Sequence, residues 1–218
     1  MERALVIGST GFVGSHLVRA LVHSDVQVEA MRRWNSDTRR IASLEVPTRV
    51  ADLLDRDSLL ETLAGYNYVF MAAAPPVDCE PGEYLGRSVR GIRNLLEVAR
   101  ELDVERVVLT SCATTVGPPA HGEASVEEDV YLPGSAEDHV VEAQYAVEQE
   151  CYREAADGMD IAIVTPGICI GPEAAIPSRD LLSYVGERAR INLVDVDDVA
   201  RAHLKAARRE SFGERYIL

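Results

Sequence analysis

The sequence is notable first for what it lacks. Of its 218 residues only Lys205 is a lysine, and 36 acidic residues against 22 lysines and arginines leave a net charge of −14. Proteins that bind nucleic acid usually carry a basic surface, so no nucleic-acid partner is expected. No apolar run approaches the ~20 residues that span a bilayer. The chain begins directly with a strand-like run at residues 3–7 and without a signal peptide. We therefore expect a cytoplasmic protein with no membrane partner.

Cysteine and histidine are too scattered to suggest a metal site. The four cysteines, Cys79, Cys112, Cys151 and Cys169, form no C-x-x-C pair, and the histidines show no metal-ligand spacing. This pattern argues against zinc and against a disulfide framework. It is typical of a protein from a reducing compartment.

Short apolar runs alternate with amphipathic stretches along the whole chain, as in β-α-β units around a parallel sheet. We predict strands at residues 4–7, 26–31, 49–51, 68–71, 106–110 and 161–165, and helices at 12–23, 58–63, 85–102 and 138–156. Beyond residue 167 the pattern predicts a short helix near 181–187, a strand at 191–194, a helix at 196–208 and a last strand at 216–218. The fold class is α/β with a doubly wound parallel sheet.

A glycine-rich loop follows the first strand and opens the first helix. Glycines at these positions permit a tight turn, a close approach of a pyrophosphate to the backbone, and helix–strand packing. The helix N-terminus offers unpaired N–H groups to phosphates. A purely structural turn is the alternative. The loop predicts a dinucleotide site in a Rossmann-type fold, with contacts from Gly8, Thr10, Gly11, Phe12, Val13 and Gly14.

Arginines stand where the second strand ends. An NAD site places an acidic residue there to bind the ribose 2′-hydroxyl, whereas this chain has Arg32 and Arg33. Guanidinium groups bind a 2′-phosphate well, so NADP(H) is favoured over NAD(H); two solvated surface arginines are the alternative. Asp52 could accept from the adenine amino group with Leu53 against the ring, although the pair could equally be a loop start.

Several further segments carry a family resemblance. Together with the glycine loop, they make the chain similar to the extended, or atypical, short-chain dehydrogenases/reductases, also called the NAD-dependent epimerase/dehydratase family. The chain is most similar to hopanoid-associated sugar epimerases and dihydroflavonol-reductase-like members. The segments are Asp52-Leu53, Gly91-x-x-Asn94-Leu95-Leu96, residues 106–111, Pro166-Gly167, Gly171-Pro172 and residues 196–200.

The resemblance implies a single Rossmann-type domain over residues 1–218, with a truncated C-terminal substrate lobe of which 167–195 is a remnant. Members of this family usually continue past the position of Leu218. Either the substrate pocket is small and open, or a homodimer partner or another subunit completes the cleft, or no substrate is turned over. Further cofactor contacts are assigned to Ala72, Ala73, Ala74, Ser111 and Pro166.

The catalytic residues of the family are missing at the positions where they are expected. The resemblance implies a serine, a tyrosine and a lysine, the last two spaced Y-x-x-x-K on one helix. Counting back from the strand at 161–165 places the tyrosine position at Val140 and the lysine position at Gln144; the serine position falls on Cys112 and a usual asparagine on Ser88. Because Lys205 is the only lysine, no other register restores the pair.

Other residues could have replaced the missing set. His139 and Glu142 flank the vacant tyrosine position and could donate protons if they turned inward, although a solvated helix face is the simpler interpretation for both. Tyr145 more often packs than reacts. Cys112 could be a nucleophile, but a buried cysteine at a strand end is usually inert.

We therefore expect an NADP(H)-binding protein without the usual oxidoreductase mechanism, acting as a cofactor-binding, cofactor-sensing or accessory protein. The alternative is a repurposed biosynthetic enzyme, an isomerase, cyclase or lyase, that uses non-standard residues. A conventional epimerase or reductase is the third candidate. The uncharged side chains of Cys112, Val140 and Gln144 suit a small apolar ligand.

Overall fold

A seven-stranded sheet forms the centre of the structure, a computed structural model that describes residues 2–24, 26–76, 79–119, 124–135, 138–174, 192–208 and 213–218. Its strands run in the order β3-β2-β1-β4-β5-β6-β9, and every neighbouring pair is parallel. They are β1 (Arg3–Ile7), β2 (Gln27–Arg32), β3 (Thr48–Val50), β4 (Tyr68–Met71), β5 (Arg106–Thr110), β6 (Ile161–Thr165) and β9 (Arg215–Ile217). The predicted doubly wound sheet is confirmed, and its order reverses between β1 and β4, where such sheets bind ligands.

Within the described ranges, five helices cover the two faces of this sheet. They are α1 (Phe12–Val22), α2 (Arg56–Leu63), α3 (Pro81–Glu101), α4 (His139–Ala156) and α5 (Val196–Arg208), with short 3-10 turns at Ala42–Leu44 and Ala113–Thr115. Alternate strand residues point to opposite faces: Leu5 and Ile7 join a core with α2, α3 and α4, whereas Ala4 and Val6 join a second core with α1 and α5. The central strands are thus buried on both sides.

The region after β6 differs most from the sequence prediction. Ile168–Ile170, which was not predicted as a strand, forms β7 and pairs in parallel with β8 (Leu193–Asp195) in a separate two-stranded sheet. The strand predicted at 191–194 corresponds to β8, and the predicted helix near 181–187 lies outside the described residues. None of the helices in the described ranges is long and apolar enough to cross a membrane.

Candidate dinucleotide site and catalytic positions

A cleft opens beyond the carboxyl ends of β1, β2 and β4, at the point where the strand order reverses. The glycine loop lies at its centre, the turn after β2 forms one end, and residues of α3 and α4 form the other side. In parallel sheets this is the position at which nucleotide ligands bind.

Each glycine of the loop is needed for a different structural reason. Gly8 has a φ of +80°, and a Cβ there would lie 2.6 Å from the backbone of Ala72 at the end of β4. A Cβ at Gly14 would lie 2.1 Å from the carbonyl oxygen of Gly8, so Gly14 lets α1 pack on the turn. A Cβ at Gly11 would meet only that same oxygen, at 3.2 Å, because Gly11 is exposed and lines the cleft.

The start of α1 fits the diphosphate of a dinucleotide. No side chain caps the helix at Gly11, although the first N–H groups of a helix have no partner inside it. Gly8, Thr10 and Gly11 line the cleft at this point, so an anion could take the place of the missing cap. The buried hydroxyl of Ser9 donates to the carbonyl oxygen of Met31 at 2.7 Å and joins the loop to the end of β2.

The end of the cleft beside β2 is basic. Arg32 and Arg33 both line it, and among the described residues neither forms an ion pair with a carboxylate. Nη1 of Arg32 lies 3.4 Å from the carbonyl oxygens of Arg33 and Trp34. Arg87 of α3 also lines the cleft but pairs with Glu83 at 3.0 Å. Unpaired guanidinium groups fit a phosphate at this end.

The segment after β3 forms another wall of the cleft. Asp52 and Leu53 both line it, and Oδ1 of Asp52 accepts from the N–H of Leu54 at 2.9 Å. The hydrogen bond is that of a loop start, so Asp52 has this structural role as well as its place in the cleft. Two residues of α3 hold the segment: Gly91, where a Cβ would lie 3.3 Å from Cβ of Leu53, and Asn94, which donates to the Leu53 carbonyl at 2.9 Å.

The remaining predicted cofactor contacts divide into two groups. Ala72, Ala73 and Ala74 line the cleft beyond β4. The others do not line it: Ser111 is buried and donates to Glu148, and the carbonyl oxygen of Pro166 accepts from the N–H of Ala113 at 2.8 Å. Phe12 and Val13, at the start of α1, also lie outside the lining.

Of the positions to which the sequence assigned the missing catalytic set, Gln144 and Ser88 line the cleft, whereas Val140 and Cys112 lie outside its lining. Gln144 lines the cleft, and its Nε2 donates to the carbonyl oxygen of Thr110 at the end of β5, at 3.1 Å. Val140 lies one helical turn earlier. Ser88 of α3 lines the cleft and donates to the carbonyl oxygen of Tyr84 at 2.8 Å. Cys112 is half-buried just beyond β5 and accepts from the hydroxyl of Thr114 at 3.0 Å.

A buried acid, Glu148, lies directly behind these positions and was not predicted. It follows Gln144 by one helical turn and is fully buried, and it accepts hydrogen bonds from Ser111 and, at 2.6 Å, from Thr115. Burial raises the pKa of Glu148, although both hydroxyl groups and Arg215, at 3.4 Å, lower it. The spacing of residues 140, 144 and 148 was the available signal, since it places all three on one helix face.

His139 and Glu142 are half-buried rather than fully solvated. Oε1 of Glu142 accepts from the hydroxyl of Tyr131 at 2.6 Å, so this carboxylate holds the loop before α4. The His139 ring packs edge-on against Tyr84 of α3, and its Nε2 is buried without a partner among the described residues. The sequence could not show that α3 and the preceding loop cover both flanks of α4. Tyr145 packs against Tyr131, with ring centroids 4.9 Å apart.

The only lysine of the sequence lies across the sheet from Gln144. Lys205 is exposed on α5, which packs on the opposite face of the sheet from α4.

Burial raises the pKa of the Cys169 thiol to about 11, so it is protonated at neutral pH. Within the described ranges, no three His, Cys, Asp or Glu residues are placed to hold a metal ion.

A glycine loop at the switch point of a parallel sheet, with an uncapped helix behind it, defines the class of Rossmann-type dinucleotide-binding proteins. Residues 4–218 match the NAD-dependent epimerase/dehydratase family, and the chain belongs to that family. Both the predicted fold and the predicted family are thus confirmed.

Named relatives agree with this assignment. The chain is 34% identical over 230 residues to a putative dihydroflavonol 4-reductase from Synechocystis, and this match covers 98% of this chain and 66% of the relative. It is 32% identical over 225 residues to sterol demethylase protein B from Methylococcus capsulatus, covering 98% and 68%. The chain therefore spans about two thirds of the length of these relatives.

Solved structures show the same fold. The crystal structure of gox2253 superposes with a TM-score of 0.89 at 30% identity, covering 100% of this chain and 70% of that chain. UDP-glucose 4-epimerase from Thermus thermophilus, solved in complex with NAD, has a TM-score of 0.80 at 21% identity, covering 99% and 76%.

Proposed function

We propose that this chain is an NADP(H)-binding member of its family that does not transfer hydride by the tyrosine–lysine mechanism, and that it acts as a cofactor-binding, cofactor-sensing or accessory protein. The observation that carries the proposal is the place of Gln144. It lines the dinucleotide cleft from α4, as the lysine of that mechanism would, and Val140 precedes it by one turn.

The chemistry explains why these substitutions matter. Hydride transfer to or from an alcohol carbon requires a proton to move on its oxygen, and a positioned acid or base contributes about two to four orders of magnitude to the rate. Valine carries no such proton. A glutamine amide carries no charge that could lower the pKa of a neighbouring acid. Bound NADPH would supply the hydride, but these positions supply no proton with it.

The preference for NADP(H) rests on charge at the β2 end of the cleft. In a chain of net charge −14, Arg32 and Arg33 stand at the cleft without carboxylate partners among the described residues. Each charge-assisted hydrogen bond to a phosphate contributes about 1.5–3 kcal/mol. A 2′-phosphate would use them, whereas a 2′-hydroxyl would leave them solvated.

A second candidate is a repurposed biosynthetic enzyme, an isomerase, cyclase or lyase, that uses non-standard residues. A conventional epimerase or reductase is the third candidate, and it is favoured by the name of the Synechocystis relative, a putative dihydroflavonol 4-reductase, at 34% identity. In each case we propose that the group beside the reactive end of the cofactor is small and apolar, because Cys112, Val140 and Gln144 are uncharged.

Two measurements test the proposal. Calorimetric titration should show tighter binding of NADPH than of NADH, and Arg32→Asp with Arg33→Asp should remove the difference. NADPH absorbance, followed with a panel of ketones, aldehydes and nucleotide sugars, should show no turnover above the control without protein. Restoring the family set with Cys112→Ser, Val140→Tyr and Gln144→Lys should raise the rate above that of the wild type.

The opposite results would refute it. Tighter binding of NADH than of NADPH would refute the assignment of Arg32 and Arg33 to the 2′-phosphate. A wild-type rate of NADPH oxidation near the enzyme median of about 10 per second would refute the proposal, because it would show that the protein transfers hydride. Alanine variants of His139, Glu142 and Tyr145 would then identify the proton donor, because only the variant that lacks the donor would lose NADPH turnover.

A further inference from the structure

The only tryptophan of the chain stands beside the basic end of the cleft. Trp34 is 85% exposed, the most exposed of the large apolar side chains that the structure describes. An indole combines a large apolar face with a polar edge, and tryptophan is accordingly enriched where proteins meet their ligands and partners. Its position next to a ligand cleft therefore calls for a ligand-based explanation.

A tight turn fixes the backbone that carries Trp34. The N–H of Ser36 donates to the carbonyl oxygen of Arg33 at 3.1 Å, and the N–H of Arg33 donates to Oγ of Ser36 at 3.0 Å. These reciprocal hydrogen bonds close the turn, with Trp34 at its corner. Arg33 and Ser36, the two ends of the turn, line the cleft, whereas the indole lies outside the lining.

The cleft itself offers apolar but no aromatic side chains for a flat ring at this end. Leu53 lines it on the side of Asp52, and none of the residues that line the cleft is aromatic. The guanidinium groups of Arg32 and Arg33 favour a ligand that carries phosphate. A ligand with phosphates and a flat aromatic base would satisfy both features, and a purine nucleotide is such a ligand.

We propose that Trp34 is a binding residue that stacks on the adenine of the dinucleotide, so that the base lies between the indole and Leu53. The proposal rests on the proposed function, because it takes the dinucleotide to be the ligand of the cleft. It gives Trp34 and Arg33 separate roles. Trp34 recognises the base, which NADP⁺ and NAD⁺ share, and Arg33 recognises the 2′-phosphate, which only NADP⁺ carries.

Replacing Trp34 with alanine in the full chain tests this division. Stacking of a base on an aromatic ring is worth about 1–3 kcal/mol by alanine substitution, which corresponds to about a 5- to 150-fold change in Kd. Calorimetry should show that Trp34→Ala weakens NADP⁺ and NAD⁺ by the same factor in this range. Trp34→Phe should retain most of the affinity, and Arg33→Ala should weaken NADP⁺ selectively.

Fluorescence provides a direct second measurement, because the chain has a single tryptophan. The probe is 2′,5′-ADP, which carries adenine and the 2′-phosphate but no nicotinamide, so that any change in emission comes from the adenine end. Saturating 2′,5′-ADP should change the emission of the wild-type protein. Val22→Ala is the matched control, because Val22 is 40% exposed at the far end of α1, and it should leave every Kd unchanged.

The results distinguish this inference from the function on which it rests. If the wild type binds NADP⁺ and Trp34→Ala leaves the Kd unchanged, or weakens only ligands with a 2′-phosphate, the stacking role is refuted and the proposed function stands. Unchanged emission at saturating 2′,5′-ADP would refute it as well. If Trp34→Ala instead changes the oligomeric state, the indole belongs to a protein interface. If the wild type binds none of the nucleotides, the proposed function and this inference are both refuted.

Discussion

Replacing His203 with glutamine should remove an acid-sensitive contribution from the stability of the fold. His203 lies on α5 and is fully buried. Its Nδ1 lies 2.8 Å from the carbonyl oxygen of Val199, which can only accept, so Nδ1 carries the proton. In the neutral ring Nε2 then accepts from the hydroxyl of Thr110, at 2.7 Å. Both nitrogens are thus satisfied without a charge, and burial lowers the pKa of His203 from 6.5 to about 4.

The direction and size of the effect follow from this lowered pKa. Between about pH 6.5 and pH 4 the unfolded chain binds a proton at this histidine that the folded chain does not bind. The contribution is therefore complete above about pH 6.5 and is lost as the pH falls through 4. A lowering of the pKa from 6.5 to about 4 corresponds to about 3 kcal/mol. Glutamine at 203 could still accept from Thr110 but would not titrate.

Urea unfolding of the wild type and His203→Gln, followed by circular dichroism from pH 7 to pH 4, measures the effect. The free energy of unfolding of the wild type should fall by about 3 kcal/mol more than that of the variant. The other titrating groups contribute equally to both proteins and cancel in the difference. His23→Gln, which changes an exposed histidine, should follow the wild type. Equal pH dependence in wild type and His203→Gln would refute the assignment of a neutral buried histidine.

Further predictions follow from the site. Gly11→Asp should abolish dinucleotide binding by calorimetry and leave the circular dichroism unchanged, because Gly11 is exposed in the cleft. Binding by a folded Gly11→Asp variant would contradict the assignment. Gly14→Ala should lower the free energy of unfolding, because its Cβ would lie 2.1 Å from the Gly8 carbonyl oxygen. Glu148→Gln should gain stability relative to the wild type as the pH rises above 4.5, because the raised pKa of Glu148 means that the folded state holds this proton more tightly than the unfolded state. Urea unfolding at pH 4.5 and pH 7 measures it, and a constant difference would contradict it.

The strands that the sequence predicted best are those whose environment is uniform. The bounds of β4, β5 and β6 match the prediction because each is a short apolar run buried on both faces, so its hydrophobicity marks both ends. In contrast, β7 has three residues, two of them exposed, and follows a Pro-Gly pair. It is a strand because it pairs with β8 across more than 20 residues of chain, and no local pattern contains that partner.

The candidate site divides in the same way. The glycine loop and Gln144 could be predicted because each is fixed by its spacing from a strongly marked strand. Arg87 and Glu148 were missed because their roles depend on which helix packs beside which. An acidic residue on an amphipathic helix is predicted to face solvent. Partners distant in sequence, the hydroxyl groups of Ser111 and Thr115 and the guanidinium of Arg215, make the burial of Glu148 tolerable.

The distribution of charge along the cleft explains how one half of the site can be retained when the other half changes. In the function proposed above, dinucleotide binding would draw on the arginines at the β2 end, the start of α1 and the backbone of the glycine loop, and none of these depends on a charged group at position 144. A lysine at position 144 would place a cation beside the reactive end of the cofactor. The Gln144 amide instead donates to the carbonyl oxygen of Thr110, so this position carries no charge that needs a counter-ion. Because the two halves share no ion pair within the described residues, we expect substitutions at 112, 140 and 144 to change the chemistry of the cleft without reducing its affinity for the dinucleotide.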